Sequence, residues 1–417
     1  MQINVEPNLA RRETAMEYPV TAGSCRFYPF SDRIDLSIDP TYGELRVKEP
    51  VARVRMPYGG DAWLVTRHAD AKKGLSDPRL SIAAGAGRDV PRASPRLQEP
   101  DGLMGLPPDA HARLRRLVAT AFTPKRVRDI APRVVQLADQ ILDDVVETGP
   151  PTDLVQQLAL PLPVMIICEM MGIGYDEQHL FRAFSDALMS STRYTADQVD
   201  RAVADFIEYL GGLLAQRRAH RTDDLLGALV EARDDGDRLT EEELVMLTGG
   251  LLVGGHETTA SQIASQIFLL LRDRARYGHL RNRPELIPVA VEELLRVAPL
   301  WASVGPTRIA TEDLELNGAV IRAGDAVVFS LASANQDDDA FGKAAEVVLD
   351  RDPNPHIAFG HGPHYCIGAS LARLEIQAAI GALVRRFPDL RLAVEENDLE
   401  WNRGMMVRSL VALPVTW

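Results

Sequence analysis

The chain has 417 residues, of which 46% are hydrophobic and 25% charged, values typical of a globular protein without disordered tracts. Its formal net charge of -13 disfavours non-specific binding to nucleic acid or to anionic membranes. The longest apolar run, "LALPLPVMIIC", is short and broken by two prolines, and the first residues lack the apolar core of a signal peptide. We therefore expect a single cytoplasmic domain over residues 1–417 that does not span a membrane.

The three cysteines, Cys25, Cys168 and Cys366, lie far apart and form no CxxC pair. This spacing argues against a disulfide framework and against a cysteine-rich zinc module. Cys168 lies in "VMIICEMMGI" and is most simply a buried apolar residue.

Strand-like segments are few and helical periodicity dominates, so the sequence predicts a mainly α protein with small β-sheets, an α+β fold. Strands are predicted in "PVARVRM", in "AWLVTR" and in "LELNGAVIRAGDAVVFSL", where "NG" indicates a hairpin. Helices are predicted over 111–147, 153–172, 177–190, 197–219, 240–273, 285–297 and 368–387. The Gly- and Pro-rich stretch 76–108 is long for a connection, which favours a mobile functional loop that covers a site.

The longest predicted helix begins at Thr240, which forms a capping box with Glu243. A helix of this length extends about 50 Å and must cross the whole molecule.

The loop "FGHGPHYCIGAS", residues 359–370, places a cysteine just before a predicted helix. The free N–H groups and dipole of a helix N-terminus stabilise a thiolate, which is a nucleophile or a metal ligand. Gly360, Gly362 and Gly368 permit close approach of a flat or bulky group. A phosphate-binding loop is excluded because no Lys-Ser/Thr pair follows, and a zinc site from His361, His364 and Cys366 lacks a fourth ligand.

The pattern F-x-x-G-x-H-x-C-x-G, formed by Phe359, Gly362, His364, Cys366 and Gly368, resembles the cytochrome P-450 superfamily in its soluble bacterial form. The resemblance implies a triangular prism of helices around a buried haem b (iron protoporphyrin IX). It makes Cys366 the axial thiolate ligand of the iron. It also implies that Phe359 shields the sulfur and that His364 reaches a haem propionate.

Further propionate contacts are implied elsewhere in the chain. His111 and Arg115 in "HARLR" lie four residues apart, on one helix face. Arg308 in "TRIATEDLEL" matches the arginine that precedes the sheet in the family. Without the resemblance, these residues would be interpreted as a solvated basic surface.

The segment "GGHETTA" lies near the middle of the longest helix and resembles the oxygen-binding groove of the family. Gly254 and Gly255 are predicted to leave room above the iron, and Glu257 with Thr258 to relay protons to bound dioxygen. The zinc-protease pattern HExxH is excluded because residue 260 is alanine. The alternative for Thr258 is a hydrogen bond to its own i-4 carbonyl that bends the helix.

Glu293 and Arg296 in "EELLR" form E-x-x-R, a weak pattern by itself because such pairs are usually exposed. Their position between the "GGHETTA" helix and the cysteine loop matches the family's Glu-Arg-Arg network, with Arg351 as third member. The resemblance implies a buried structural brace for the cysteine loop.

The resemblance implies a monooxygenase that uses dioxygen to hydroxylate or epoxidise an apolar small molecule, a secondary metabolite of polyketide, macrolide or terpenoid type. Alternatives are a peroxide-driven or isomerising thiolate-haem enzyme and a non-catalytic haem sensor. Substrate contacts are predicted at four residues, which could instead be core residues. They are Trp301, Val304, Met405 and Met406.

The chain contains no flavin or iron–sulfur segment, so electrons from NAD(P)H are expected to arrive through a ferredoxin and its reductase. A basic docking surface for the acidic ferredoxin is predicted near the cysteine loop, although the same residues could be ordinary surface charges. It comprises Arg113, Arg116, Lys125 and Arg126. A monomer without nucleic-acid or membrane partners is expected.

Overall fold

The computed structural model describes residues 25–98, 102–234 and 239–417. The α-helices in these residues are α1 Pro40–Lys48, α2 His68–Ser76, α3 Pro108–Ala119, α4 Pro124–Thr148, α5 Pro161–Met171, α6 Gln178–Leu188, α7 Ala196–Ala219, α8 Leu225–Asp234, α9 Glu241–Arg272, α10 Arg274–Asn282, α11 Ile287–Val297, α12 Leu331–Ala334, α13 Asp338–Phe341 and α14 Ala369–Arg386. None of the described helices is long and apolar enough to cross a lipid bilayer.

In the described residues the strands are short and form three sheets. They are β1 Arg26–Phe27, β2 Val51–Arg55, β3 Asp61–Val65, β4 Leu80–Ser81, β5 Thr152–Asp153, β6 Arg308–Ala310, β7 Leu314–Leu316, β8 Ala319–Ile321, β9 Ala326–Phe329, β10 Arg391–Leu392 and β11 Pro414–Thr416. The largest sheet has the order β1-β2-β3-β9-β6-β4, and the others are β10-β11-β5 and the hairpin β7-β8. The predicted "NG" turn closes that hairpin, with positive φ at Asn317 and Gly318.

Helix α9 is the central element of the fold. Its N-terminus is fixed by the predicted capping box, in which the Glu243 amide donates to Thr240 Oγ1 at 3.1 Å and the Thr240 amide to Glu243 Oε2 at 2.9 Å. Every residue from Thr259 to Leu271 is buried. Its first half packs into a core with α5, α7 and α8, and its second half into a core with α4, α11 and α14. The middle of α9, where "GGHETTA" lies, is therefore held between two cores.

Two predicted helices have different boundaries from those expected. The helix predicted over 111–147 is two helices, because Pro124 begins α4 and Thr123 caps it by accepting a bond from the Arg126 amide. The helix predicted over 153–172 begins as β5 and a π-helical turn at Val155–Ala159. Helix α5 then starts at Pro161.

The predicted loop over 76–108 is irregular for most of its described length, but it is anchored at two points. It contributes β4 to the large sheet, and the amides and carbonyls of Tyr58 and Arg92 pair at 3.0 and 3.3 Å. A Cβ on Gly59 would lie 2.1 Å from the Val90 carbonyl oxygen, so the two segments touch. Residues 99–101 of this loop lie outside the described residues.

Candidate active site

The cysteine loop runs from Phe359 to the start of α14 and folds back on itself. The Cys366 amide donates to the Phe359 carbonyl at 3.0 Å. Gly362 has φ +74°, and a Cβ there would lie 2.7 Å from the carbonyl oxygen of Leu75 in α2. Glycine at 362 thus lets the loop pack directly against α2.

The Cys366 side chain is exposed to solvent, yet the surrounding protein raises the pKa of its thiol by desolvation. The Gly368 amide, Arg115 and Arg373 oppose this shift. A thiol that is exposed to solvent and also desolvated by nearby protein lies in a recess rather than on the convex surface. In the described part of the chain no three His, Cys, Asp or Glu side chains could hold a metal ion, so His361, His364 and Cys366 do not form a zinc site.

Four predicted propionate contacts come together beside Cys366, and we call His111, Arg115, Arg308 and His364 the cationic cradle. The rings of His111 and His364 are 4.3 Å apart between centroids. Arg115 Nη2 donates to the Tyr365 carbonyl at 2.5 Å, which joins α3 to the cysteine loop. Arg308, only 5% exposed, donates to the carbonyls of Leu75 and Leu80 at 3.1 and 3.3 Å.

The cationic cradle has no anionic partner within the described residues, since no carboxylate there lies within ion-pair distance of it. Burial, followed by repulsion from His111, Arg308 and Arg115, lowers the pKa of His364 to about 4. Burial alone lowers the pKa of Arg308 to about 10. His364 Nδ1 is buried and lacks a hydrogen-bond partner in the described structure. Buried cations without counter-charges are costly, so the cradle fits a dianionic group such as the two haem propionates.

Gly254 and Thr258 lie on one face of α9. Thr258 Oγ1 donates to the Gly254 carbonyl at 3.1 Å, the i-4 bond considered as the alternative for this residue. A Cβ on Gly254 would meet no atom of the described residues within 4 Å, so this face of the helix is open.

Gly255 departs from the prediction. A Cβ at this position would lie 3.1 Å from the side chain of Ile167 in α5. Gly255 therefore permits close packing of two helices, whereas Gly254 alone supplies the open face.

Glu257 is buried, with 9% of its surface exposed. Burial raises the pKa of its carboxyl to about 7, with a further increase from Asp186, while Arg182 and Arg193 oppose it. Asp186 and Arg182 belong to α6 and were not predicted as site residues. Their i, i+4 spacing was visible in the sequence, but nothing there indicated that α6 packs over α9.

Glu293, Arg296 and Arg351 form one buried network. Arg296 binds Glu293 through two bonds of 2.8 and 2.7 Å, and Arg351 Nε adds a third of 3.0 Å. The carboxylate also accepts bonds from the Val348 amide and the Asn354 side chain. Burial would raise the pKa of Glu293, but the bonds from Arg296, Val348 and Arg351 outweigh it and hold that pKa below its ordinary value.

The four predicted substrate contacts have different positions. Val304 packs in a hydrophobic cluster with residues of the large sheet, which agrees with the alternative that it is a core residue. Trp301 and Met406 are half-buried, and Met405 is buried and pairs with Ser190. The Met406 amide donates to the Met189 carbonyl at 2.7 Å, so the C-terminal segment lies against the end of α6.

One residue of the predicted docking surface has an intramolecular partner. Arg113 forms an ion pair with Glu243 at the start of α9, while 41% of its side chain remains exposed. Arg116, Lys125 and Arg126 are exposed on α3 and α4.

Comparison with known proteins identifies relatives over nearly the whole chain. The family model of cytochrome P450 matches residues 63–408. The nocardicin C N-oxygenase of Nocardia uniformis subsp. tsuyamanensis is 49% identical over 95% of this chain and 100% of its own length. The mycinamicin IV hydroxylase/epoxidase of Micromonospora griseorubida is 44% identical with the same coverage. The crystal structure of HinD with NMFT and NO superposes with a TM-score of 0.91 at 46% identity, over 95% of this chain and 100% of that one.

Proposed function

Since this chain belongs to the cytochrome P450 family and is a monooxygenase, we propose that Cys366 is the axial ligand of a haem b iron and that the cationic cradle binds the two propionates. The observation that carries this assignment is the cradle itself. Its two arginines have no carboxylate partner within the described residues, and the buried His364 Nδ1 beside them has no hydrogen-bond partner there. One haem would supply both an iron for the Cys366 thiolate and two negative charges for the cationic cradle.

When bound, thiolate-ligated haem supplies the activation of dioxygen and the cleavage of its O–O bond. The protein contributes binding, orientation and proton supply. Phe359 lies against the Arg373 guanidinium, 4.5 Å from ring centroid to carbon, and would shield the Cys366 sulfur from solvent.

Glu257 and Thr258 are proposed to relay the protons that the reaction consumes. With a pKa of about 7, the Glu257 carboxyl holds or releases a proton close to neutral pH. Thr258 Oγ1 donates its hydrogen to the Gly254 carbonyl at 3.1 Å, and rotation of the hydroxyl toward the open face at Gly254 would let it donate that hydrogen there while its lone pairs accept another. Glu257 and Thr258 are thereby suited to transfer protons one at a time.

The substrate is proposed to be an apolar secondary metabolite that is hydroxylated or epoxidised. Two relatives with 49% and 44% identity act, by their names, on nocardicin C and mycinamicin IV. Trp301, Met405 and Met406 near the end of α6 are proposed as apolar contacts, and Met side chains adapt to irregular ligands.

The electrons are proposed to come from NAD(P)H through a ferredoxin and its reductase to this single-domain, monomeric, cytoplasmic protein. Arg116, Lys125 and Arg126 form the proposed docking surface for the acidic ferredoxin. Reversal of all three charges to glutamate is expected to slow reduction of the iron at low salt and to leave substrate affinity unchanged. Reversal of exposed Arg283 serves as the control, and equal reduction rates for the two variants would dismiss the surface.

The overall function is tested with purified holoenzyme, a ferredoxin system and a panel of macrolide and peptide metabolites. A metabolite that produces a type I spectral shift is incubated with isotopically labelled dioxygen. One labelled oxygen atom in the product is expected. Product formation driven only by added peroxide, without label from dioxygen, would contradict the proposal.

A further inference from the structure

Two consecutive glutamates of α11 serve different networks. Glu293 holds the brace described above, whereas Glu292 binds Arg373 of α14. Arg373 Nε donates to Glu292 Oε1 at 2.7 Å and Arg373 Nη2 to Oε2 at 2.9 Å, a two-bond ion pair. Both side chains are about one quarter exposed, at 27% and 26%. The pair is therefore partly shielded from solvent and salt.

Arg373 contacts the cysteine loop on several sides. Its Nη1 lies 3.2 Å from the Tyr365 hydroxyl and 3.4 Å from the Ala369 carbonyl. Its guanidinium covers the Phe359 ring at 4.5 Å. Tyr365 precedes Cys366 in the chain, and the Phe359 carbonyl accepts a bond from the Cys366 amide. Arg373 therefore contacts both residues that adjoin Cys366 in the loop.

His356 completes the network through a hydrogen bond to Glu292. Its Nδ1 accepts a bond from the Ala358 amide at 3.2 Å, so Nε2 carries the hydrogen and donates to Glu292 Oε2 at 2.9 Å. Burial would raise the pKa of Glu292, but the bonds from His356 and Arg373 lower it to about 2. Glu292 is thus anionic at neutral pH, and it balances the charge of Arg373.

We propose that Glu292 is a positioning residue that neutralises Arg373 behind Cys366 and thereby sets the reduction potential of the iron. The inference rests on the proposed function, because it requires Cys366 to be the iron ligand. Reduction adds one negative charge at the iron, so a nearby cation favours it and a nearby anion opposes it. With both partners present their fields cancel, and loss of either one leaves the other unbalanced.

The test is the midpoint potential of substrate-free holoenzyme in four variants. Glu292→Gln is expected to raise the potential by about 60 mV, a tenfold change in the reduction equilibrium. Arg373→Gln is expected to lower it. The double variant is expected to return toward the wild-type value, and Arg373→Lys, which keeps the charge but not the planar fork, to remain near it.

If Glu292 and Arg373 only hold the cysteine loop in place, the midpoint potentials of the variants follow a different pattern. Loosening of the loop would move both single variants in the same direction, and the double variant would be no closer to wild type than either. That result would overturn the inference. Glu285→Gln, which removes an exposed partner of Arg283, is the matched control and should leave the potential unchanged.

Failure of the inference and failure of the proposed function are distinguishable. If Arg373→Gln does not fold, Glu292→Gln together with Arg373→Lys still decides the sign of the effect. If wild-type protein does not give the carbon monoxide spectrum of a thiolate-ligated iron, the proposed function fails. If that spectrum is present but Glu292→Gln leaves the potential unchanged, only this inference fails.

Discussion

Glu293 and Glu257 are both buried, yet the protein treats their carboxyl groups in opposite ways. Glu293 receives bonds from two arginines, a backbone amide and Asn354, and its pKa lies below its ordinary value. Glu257 has no ion pair within the part of the chain that the structure describes, and its pKa is raised to about 7. The partners of each carboxylate, rather than burial itself, decide whether it is a fixed charge or a proton carrier.

The same difference separates helix α11 from helix α9. The α11 side is a set of closed ion-pair networks that keep one charge state. The α9 side combines an open helix face at Gly254 with an acid that titrates near neutral pH. Three substitutions sharpen this comparison, and their expected effects on folding stability decrease from the first to the third.

The largest effect is expected for Arg296→Leu. This change leaves Glu293 buried without its two-bond partner, and breaking such a pair costs about 3–5 kcal/mol. Denaturant unfolding of the holoenzyme measures the loss, with haem release as a second readout. Arg283→Leu, which removes an exposed ion pair, is the control. A loss below about 1 kcal/mol, as for an exposed pair, would show that the network is not a brace.

An intermediate, pH-dependent effect is expected for Glu257→Gln. The folded pKa of about 7 exceeds the ordinary value of 4.5, so folded wild type binds more protons than unfolded chain and loses stability as pH rises between these values. The Glu257→Gln variant does not lose folding stability in this way as pH rises. Its stability advantage over wild type should therefore grow by about 2 kcal/mol between pH 5 and pH 8. A pH-independent difference would contradict the raised pKa.

The smallest effect on stability, under about 1 kcal/mol, is expected for Thr258→Ala, which removes one hydrogen bond to the Gly254 carbonyl. Haem content should be unchanged, while electrons from NAD(P)H are diverted from product to peroxide. The ratio of product to peroxide measures this effect. Thr258→Ser keeps the hydroxyl and should keep the wild-type ratio. Full coupling in the alanine variant would remove Thr258 from the proton relay.

The sequence predicted those features that depend on local chemistry. The capping box of α9, the "NG" hairpin and the glycine at 362 each follow from a short pattern. The cysteine-loop motif also indicated the family before any contact was known.

Features that depend on which elements pack together could not be predicted. Gly255 faces Ile167, Arg113 pairs with Glu243, and Asp186 raises the pKa of Glu257. Each of these contacts joins residues on different helices, and the spacing along one helix does not specify its neighbour. The Glu292–Arg373 pair could not be predicted for the same reason, since its partners are 81 positions apart and share no motif.

The most direct test of the account is the absorption spectrum of dithionite-reduced protein under carbon monoxide. Thiolate ligation through Cys366 predicts a strongly red-shifted Soret maximum that is lost in Cys366→His with haem retained. A wild-type spectrum like that of an imidazole-ligated globin would contradict the assignment of Cys366 as the iron ligand.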